Sequence, residues 1–225
     1  MQSFVCQGVL FDLDGVLVDS TECAGRIWKE WALERGLDPE LMVRSAHGRP
    51  TIETVRMMAP QLDAEHEARI IEEREVTEVD GLKAVPGAKE LLAKLPPERW
   101  TIVTSGSRRL ATARLRAAGL PIPEKMITAD DIINGKPDPE PYLKGARLLG
   151  FKPENCMVFE DSPPGIRAAK SAGATIVSFP TTYPVDTLSE ADFVTDSFRS
   201  VKVEMLASGE LQLEVQSLQP CACPS

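Results

Sequence analysis

Histidine is scarce: His47 and His66 are the only two in 225 residues. A histidine-rich zinc site and a Ser-His-Asp triad therefore have little material to draw on. Cysteine offers little more. Cys6, Cys23, Cys156, Cys221 and Cys223 are odd in number and sparse, which argues against a disulfide framework. Cys221 and Cys223 sit in a terminal "CACP" with no second thiol pair, a weak case for metal, and residues 216–225 are expected to form a disordered tail. No apolar run approaches the length of a membrane-spanning helix. The opening "MQSFVCQGVLF" has neither the basic region nor the cleavage site of a signal peptide, so a cytoplasmic protein is expected. Positive charge is in deficit, 25 Lys and Arg against 34 Asp and Glu. The net charge of −9 argues against a surface built for nucleic acid or an anionic membrane. Such a chain binds an anion only at a local electropositive site. There is no GxxxxGK[ST] loop, so a P-loop NTPase is excluded.

What is present is a hydrophobic content of 43%, enough for a globular core. Short apolar runs at 9–11, 101–103, 157–159 and 175–179 read as strands buried on both faces, which suits a parallel sheet. Helical patterns alternate with them. "PGAKELLAKL" places Pro86 as a first-turn proline. "SRRLATARLRAAG" has Ser107 as N-cap and Gly119 as stop, and "SPPGIRAAKSAG" repeats the plan with Ser162, Pro163 and Gly173. Strand and helix in alternation predict a doubly wound, mainly parallel Rossmann-like α/β fold. Residues 21–82 interrupt it with helices only: one around Ile27, Trp28, Trp31, Ala32 and Leu33, one over 51–58 stopped by Pro60, and one capped by Asp63 whose many charges read as a solvated face. The expected organisation is an α/β core of residues 1–20 and 83–215 with an inserted α-helical cap domain at 21–82.

In open parallel sheets ligands sit beyond the carboxyl ends of the strands, and the unusual polar residues fall there repeatedly. The first run ends in Asp12 and Asp14, within "VLFDLDGVLVDST". Asp-Gly alone is a turn signal, so this pair in isolation decides nothing. The second run ends in Thr104, Ser105 and Gly106, and the third in Glu160 and Asp161. A further loop carries "GKPDP" with Lys136. Gathered in one crevice, the four acids would repel one another, and a hard divalent cation with oxygen ligands, Mg²⁺ above all, would relieve that repulsion. Ser105 and the neighbouring amides, including Gly106, open a helix, a natural phosphate seat, and Lys136 supplies positive charge.

"FDLDGVLVDS", "VTSGS", "GKPDPEPYLKGA" and "VFEDSPPGI" resemble, in order, the four motifs of the haloacid dehalogenase-like hydrolases. With "HGRPTIETV", they look most like the branch of phosphatases acting on sugar and polyol phosphates. The resemblance implies that Asp12 is a nucleophile forming an aspartyl-phosphate and that Asp14 is the general acid and then base. It implies Mg²⁺ held by Asp12, the Asp14 carbonyl and Asp161, with Glu160 a ligand or behind the ligands. Ser105 and Lys136 would hold the phosphoryl group. The loop "SAHGRP" would place His47 and Arg49 against a small phosphorylated metabolite, or else be a solvated turn. A monomer is expected. Two alternatives stay open: a β-phosphoglucomutase-like phosphomutase and a non-catalytic binding module. Such mutases place a cap histidine ten residues after the second motif Asp, and here that position is Ala24.

Overall fold

The structure, a computed structural model, describes residues 1–46 and 49–218. His47, Cys221 and Cys223 lie outside the described residues. In chain order the elements are β1 (Gln2–Cys6), β2 (Gly8–Phe11), β3 (Val18–Asp19), α1 (Thr21–Glu34), α2 (Pro39–Ala46), α3 (Thr51–Met58), α4 (Ala64–Thr77), β4 (Lys83–Ala84) and α5 (Ala88–Leu92). Then follow β5 (Trp100–Ile102), α6 (Arg108–Ala117), α7 (Glu140–Leu149), β6 (Cys156–Glu160), α8 (Pro163–Ala172), β7 (Thr175–Ser178), β8 (Phe193–Val194), β9 (Val201–Met205) and β10 (Leu211–Val215).

Five strands form one sheet in the order β5-β2-β6-β7-β8, every neighbouring pair parallel. Alternating side chains of its strands leave on opposite faces. Val9, Phe11, Met157, Phe159 and Val177 enter one core with α5 and α6, while Leu10, Val158 and Ile176 enter another with α7 and α8. The rings of Phe11 and Phe159 stack across adjacent strands with centroids 5.2 Å apart. This is the doubly wound parallel sheet expected from the continuous apolar runs.

The caps behave as local chemistry dictates. Ser107 Oγ accepts from the Leu110 amide and Ser162 Oγ from the Gly165 amide, at 3.2 Å each. Asp63 Oδ1 accepts from the amides of Glu65 and His66. Pro86 is a correction: it lies outside α5, whose N-cap is Gly87 at φ 86°. A Cβ there would come within 2.7 Å of the Arg199 amide nitrogen, so the chain turns at the glycine and the helix begins after it.

Helices α1 to α4 pack on a core of their own, built from Ile27, Trp28, Trp31, Met42, Val55 and Ile71. Leu33, expected on the apolar face of α1, is exposed. The chain enters and leaves this helical insert through β3 and β4, which pair antiparallel, Val18 against Ala84 and Asp19 against Lys83. The charged face of α4 is a second correction. Glu67 and Glu75 are buried. Glu67 Oε2 accepts from Trp31 Nε1 at 2.8 Å and Arg35 Nε at 2.6 Å, so tertiary partners draw it inward.

A three-stranded antiparallel sheet, β1-β10-β9, was not expected. "QSFVC", "VKVEM" and "LQLEV" alternate with period two, and Val201, Val203, Leu211, Leu213 and Val215 are buried. The tail expected from residue 216 also starts later: Gln216 and Leu218 still donate backbone bonds to Ser200 and Val194.

Candidate active site

The sheet delivers Asp12, Thr104 and Asp161 to one edge because β2, β5 and β6 are adjacent and in register: Phe11 pairs with Ile102 on one side and Phe159 on the other. One pocket collects the polar residues that follow these strands, Asp12, Asp14, Ser105, Gly106, Lys136 and Asp161, and closes on the far side with Ala24, Trp28, Val43 and Arg49 from the helical insert. Gly15 permits the crowding at its floor. Its φ is +76°, and a Cβ would fall 2.0 Å from Asp161 Oδ2.

Lys136 sits at the electrostatic centre, 4% exposed. Its ammonium donates to Asp12 Oδ1 at 2.7 Å, to Glu160 Oε1 at 2.7 Å and to the Val103 carbonyl at 3.2 Å. Those are all three of its protons. The two carboxylates hold it well above the ordinary lysine range, although burial opposes its charge. It lies 5.0 Å above the Tyr142 ring.

The acids divide into two kinds. Burial, the largest influence, pushes Asp12 up to about 7 against the pull of Lys136, with Glu160 and Asp14 adding to the push. Burial likewise raises Asp161 well above the carboxylate range, and the charges of Glu160 and Asp12 raise it further. Glu160 is also wholly buried, yet it is held below the usual range because Lys136 and a ring of donors outweigh burial. Oε1 accepts from Lys136 and, at 2.9 Å, from the Tyr142 hydroxyl. Oε2 accepts from the amides of Asp161 and Ser162 and from Ser162 Oγ, at 2.8 to 3.0 Å. Five donors exhaust a carboxylate's accepting capacity.

Asp12, Glu160 and Asp161 each offer an oxygen within 4.8 Å of the others, all three buried. This is a hard-oxygen donor set in which two members are pushed toward protonation, a strain that a divalent cation removes. The residues fit Mg²⁺. Asp12 and Asp161 are the carboxylates open to it, since Glu160 is committed to its five donors.

Ser105 is half-buried, and its hydroxyl has no hydrogen-bond partner among the described residues. Gly106 is anchored through its amide to Thr104 Oγ1 at 3.1 Å. Asp14 accepts from Ser20 Oγ at 2.7 Å and from Arg114 Nη1. Arg49 is exposed at the rim of the pocket.

Several participants were missed from the sequence. Arg114, on α6, is buried and forks between Asp14 and Glu75 of α4, with Nη2 3.0 Å from Glu75 Oε1. Those two acids hold its pKa above the ordinary arginine value although burial opposes the charge, while burial raises Glu75. The signal was present: Leu110, Ala111 and Leu115 mark the buried face of α6, and Arg114 lies on it. Glu75 stands four residues from buried Ile71 in the same way. Thr182, whose hydroxyl donates to Asp161, and Tyr142 carry no sequence signal of their role.

The family model of the haloacid dehalogenase-like hydrolases matches residues 6–173. Hexitol phosphatase A of Escherichia coli (strain K12) is 41% identical over 216 residues, covering 93% of this chain and 99% of that protein. Glycerol-1-phosphate phosphohydrolase 2 of Saccharomyces cerevisiae is 34% identical over 216 residues, covering 89% and 86%. Among solved structures, β-phosphoglucomutase from Clostridium difficile superposes with a TM-score of 0.74 at 26% identity, covering 88% of this chain and 93% of that one. With the four motifs converging on one crevice and these likenesses running nearly end to end, the chain belongs to the haloacid dehalogenase-like hydrolase family.

Proposed function

We propose that the protein is a Mg²⁺-dependent phosphatase that hydrolyses a small sugar or polyol phosphate through a phosphoryl group carried on Asp12. The observation that carries this reading is the pairing of Asp12 with Lys136 beside Asp161, Ser105 and Asp14 in one pocket. The naming of relatives as hexitol and glycerol phosphate hydrolases supports the substrate class.

Asp12 attacks phosphorus, and the ester oxygen leaves with a proton from Asp14. Water, deprotonated by Asp14, then attacks the phosphorus of the acyl phosphate, releasing phosphate and restoring Asp12. Ser105 offers its free hydroxyl to a non-bridging oxygen, and Lys136 sets positive charge beside the oxygens where negative charge gathers. Asp12, the carbonyl of Asp14 and Asp161 would hold Mg²⁺, which neutralises phosphate charge when bound. Glu160 positions Lys136 from behind. The helices of residues 21–82 act as a cap that shields the reaction from solvent, and Arg49 at the rim meets the substrate away from the reacting bond.

The mutase reading is disfavoured at one position. Ala24 lines the pocket, so the residue ten after Asp14 does face the site, and it has no group to move a proton. A hydrolysis panel of hexitol phosphates, glycerol phosphates, hexose 6-phosphates and phosphoglycolate, run with Mg²⁺ and with chelator, tests the proposal. Phosphate release from polyol or sugar esters that stops in chelator is expected. Interconversion of sugar phosphates without phosphate release would overturn it.

A further inference from the structure

Glu75 is the one carboxylate that the helical insert contributes to the pocket among the described residues. It is 5% exposed. Oε1 is tied to Arg114 at 3.0 Å, and no other described residue donates to the carboxylate. Glu75 lines the pocket, so its second oxygen meets the cavity and can accept a hydrogen bond from whatever fills it. Its neighbours show where that donor comes from. Arg114 bridges Glu75 to Asp14, so Glu75 stands one guanidinium away from the group that protonates the leaving oxygen. If Asp14 protonates the leaving oxygen, the alcohol part of a bound ester leaves toward this side of the crevice, where Glu75 lines the pocket with Asp14. Trp28 and Val43 close the pocket with apolar surface, which offers no competing acceptor. Arg114 is shared between Glu75 and Asp14 and occupies only one Glu75 oxygen, which leaves the other free to accept from a hydroxyl.

We infer that Glu75 is a specificity-determining residue: it accepts a hydrogen bond from a hydroxyl of the alcohol portion and so selects phosphomonoesters of polyhydroxy alcohols over plain alkyl phosphates. The inference rests on the phosphatase reading and goes further by assigning its hydroxyl recognition to one side chain. Glu75 touches no reacting atom. Its effect falls on discrimination between substrates, because a site built to pair with a hydroxyl rejects the analogue that lacks it.

The test compares matched esters, glycerol 3-phosphate against propyl phosphate and a hexitol 6-phosphate against hexyl phosphate, by the ratio of kcat/KM within each pair. The native enzyme is expected to favour the hydroxylated ester on the order of 10- to 100-fold, the span of one hydrogen bond to a charged group. In Glu75→Ala the ratio collapses to within about threefold of unity. In Glu75→Gln most of it survives, because an amide still pairs with both Arg114 and a hydroxyl. A native enzyme that hydrolyses both members of each pair equally well overturns the inference without needing any variant. A ratio that persists in Glu75→Ala overturns it too, and so does an equal loss on both members, which would make Glu75 only a prop for Arg114. A native enzyme inactive on every ester would instead overturn the phosphatase reading beneath it.

Discussion

The crevice at the strand ends and the seam between the helical insert and α6 are both made of buried charge, and they differ in how that charge is delivered. In the crevice, Asp12, Glu160 and Asp161 come at or just after the ends of adjacent parallel strands, and Lys136 comes from a single loop. Chain direction alone brings them together. In the seam, Glu75 and Arg114 are 39 residues apart in sequence and sit inside two different helices, and they meet only because α4 lies against α6. Ser107, the N-cap of α6, donates to Glu72, and the exposed Arg109 donates to Glu73, two further links between the same two elements. Chemistry that follows strand ends is local, whereas chemistry that joins two layers is tertiary.

Removing charge from the crevice is expected to have the largest effect. Lys136→Met strands Asp12 and Glu160 together without their common cation, and kcat should fall by about 10³-fold, the scale of losing one preorganised donor to transition-state charge. Steady-state turnover with circular dichroism as a fold check measures this, and a loss below about tenfold would take Lys136 out of the phosphoryl site. The seam should respond in stability. Arg114→Met leaves Glu75 buried and unpaired at a cost of about 3–5 kcal/mol, and adding Glu75→Leu should recover most of it. Urea unfolding of the single and double variants reads this, and a double variant no more stable than the single would mean that the pair is not the source of the cost. The smallest effect belongs to a half-buried acid outside both regions. Glu140 accepts from Lys144 and from the amides of Asn134 and Ile133, which together lower it from 4.5 to about 2. A depressed carboxylate stabilises the fold above its unfolded value and loses that contribution as pH falls through the folded one. Glu140→Gln should therefore melt below the native protein at neutral pH, with the gap closing between about pH 4.5 and pH 2. A gap that does not change with pH would assign the difference to something other than ionisation.

The same contrast explains what was legible. The four parallel strands, the caps at Ser107 and Ser162, the helical insert and the crevice residues Asp12, Asp14, Ser105, Lys136, Glu160 and Asp161 were readable because each rests on a short pattern: an apolar run, a capping residue, a polar group at a strand end. The β1-β10-β9 sheet was not, because its first strand and its last are joined across nearly the whole chain. Arg114 and Glu75 were readable only as polar residues on a buried helix face, a clue that names a burial but not a partner. The place of Glu160, as a ligand or behind the ligands, stayed open in the sequence for a related reason. Its sequence marks it as one more acid for a metal, and only the donors from Lys136, Tyr142, Asp161 and Ser162 reveal that its lone pairs are already taken.

Trapping the phosphoryl group tests the central claim most directly. The enzyme with Mg²⁺ is mixed with a polyol phosphate, quenched within the first turnover and reduced with borohydride, which converts an acyl phosphate on aspartate to homoserine. The account predicts homoserine at position 12, in an amount that tracks the burst of released alcohol, and neither burst nor homoserine in Asp12→Asn. A native burst with no modification at residue 12, or with the phosphoryl group recovered on Ser105, would contradict it.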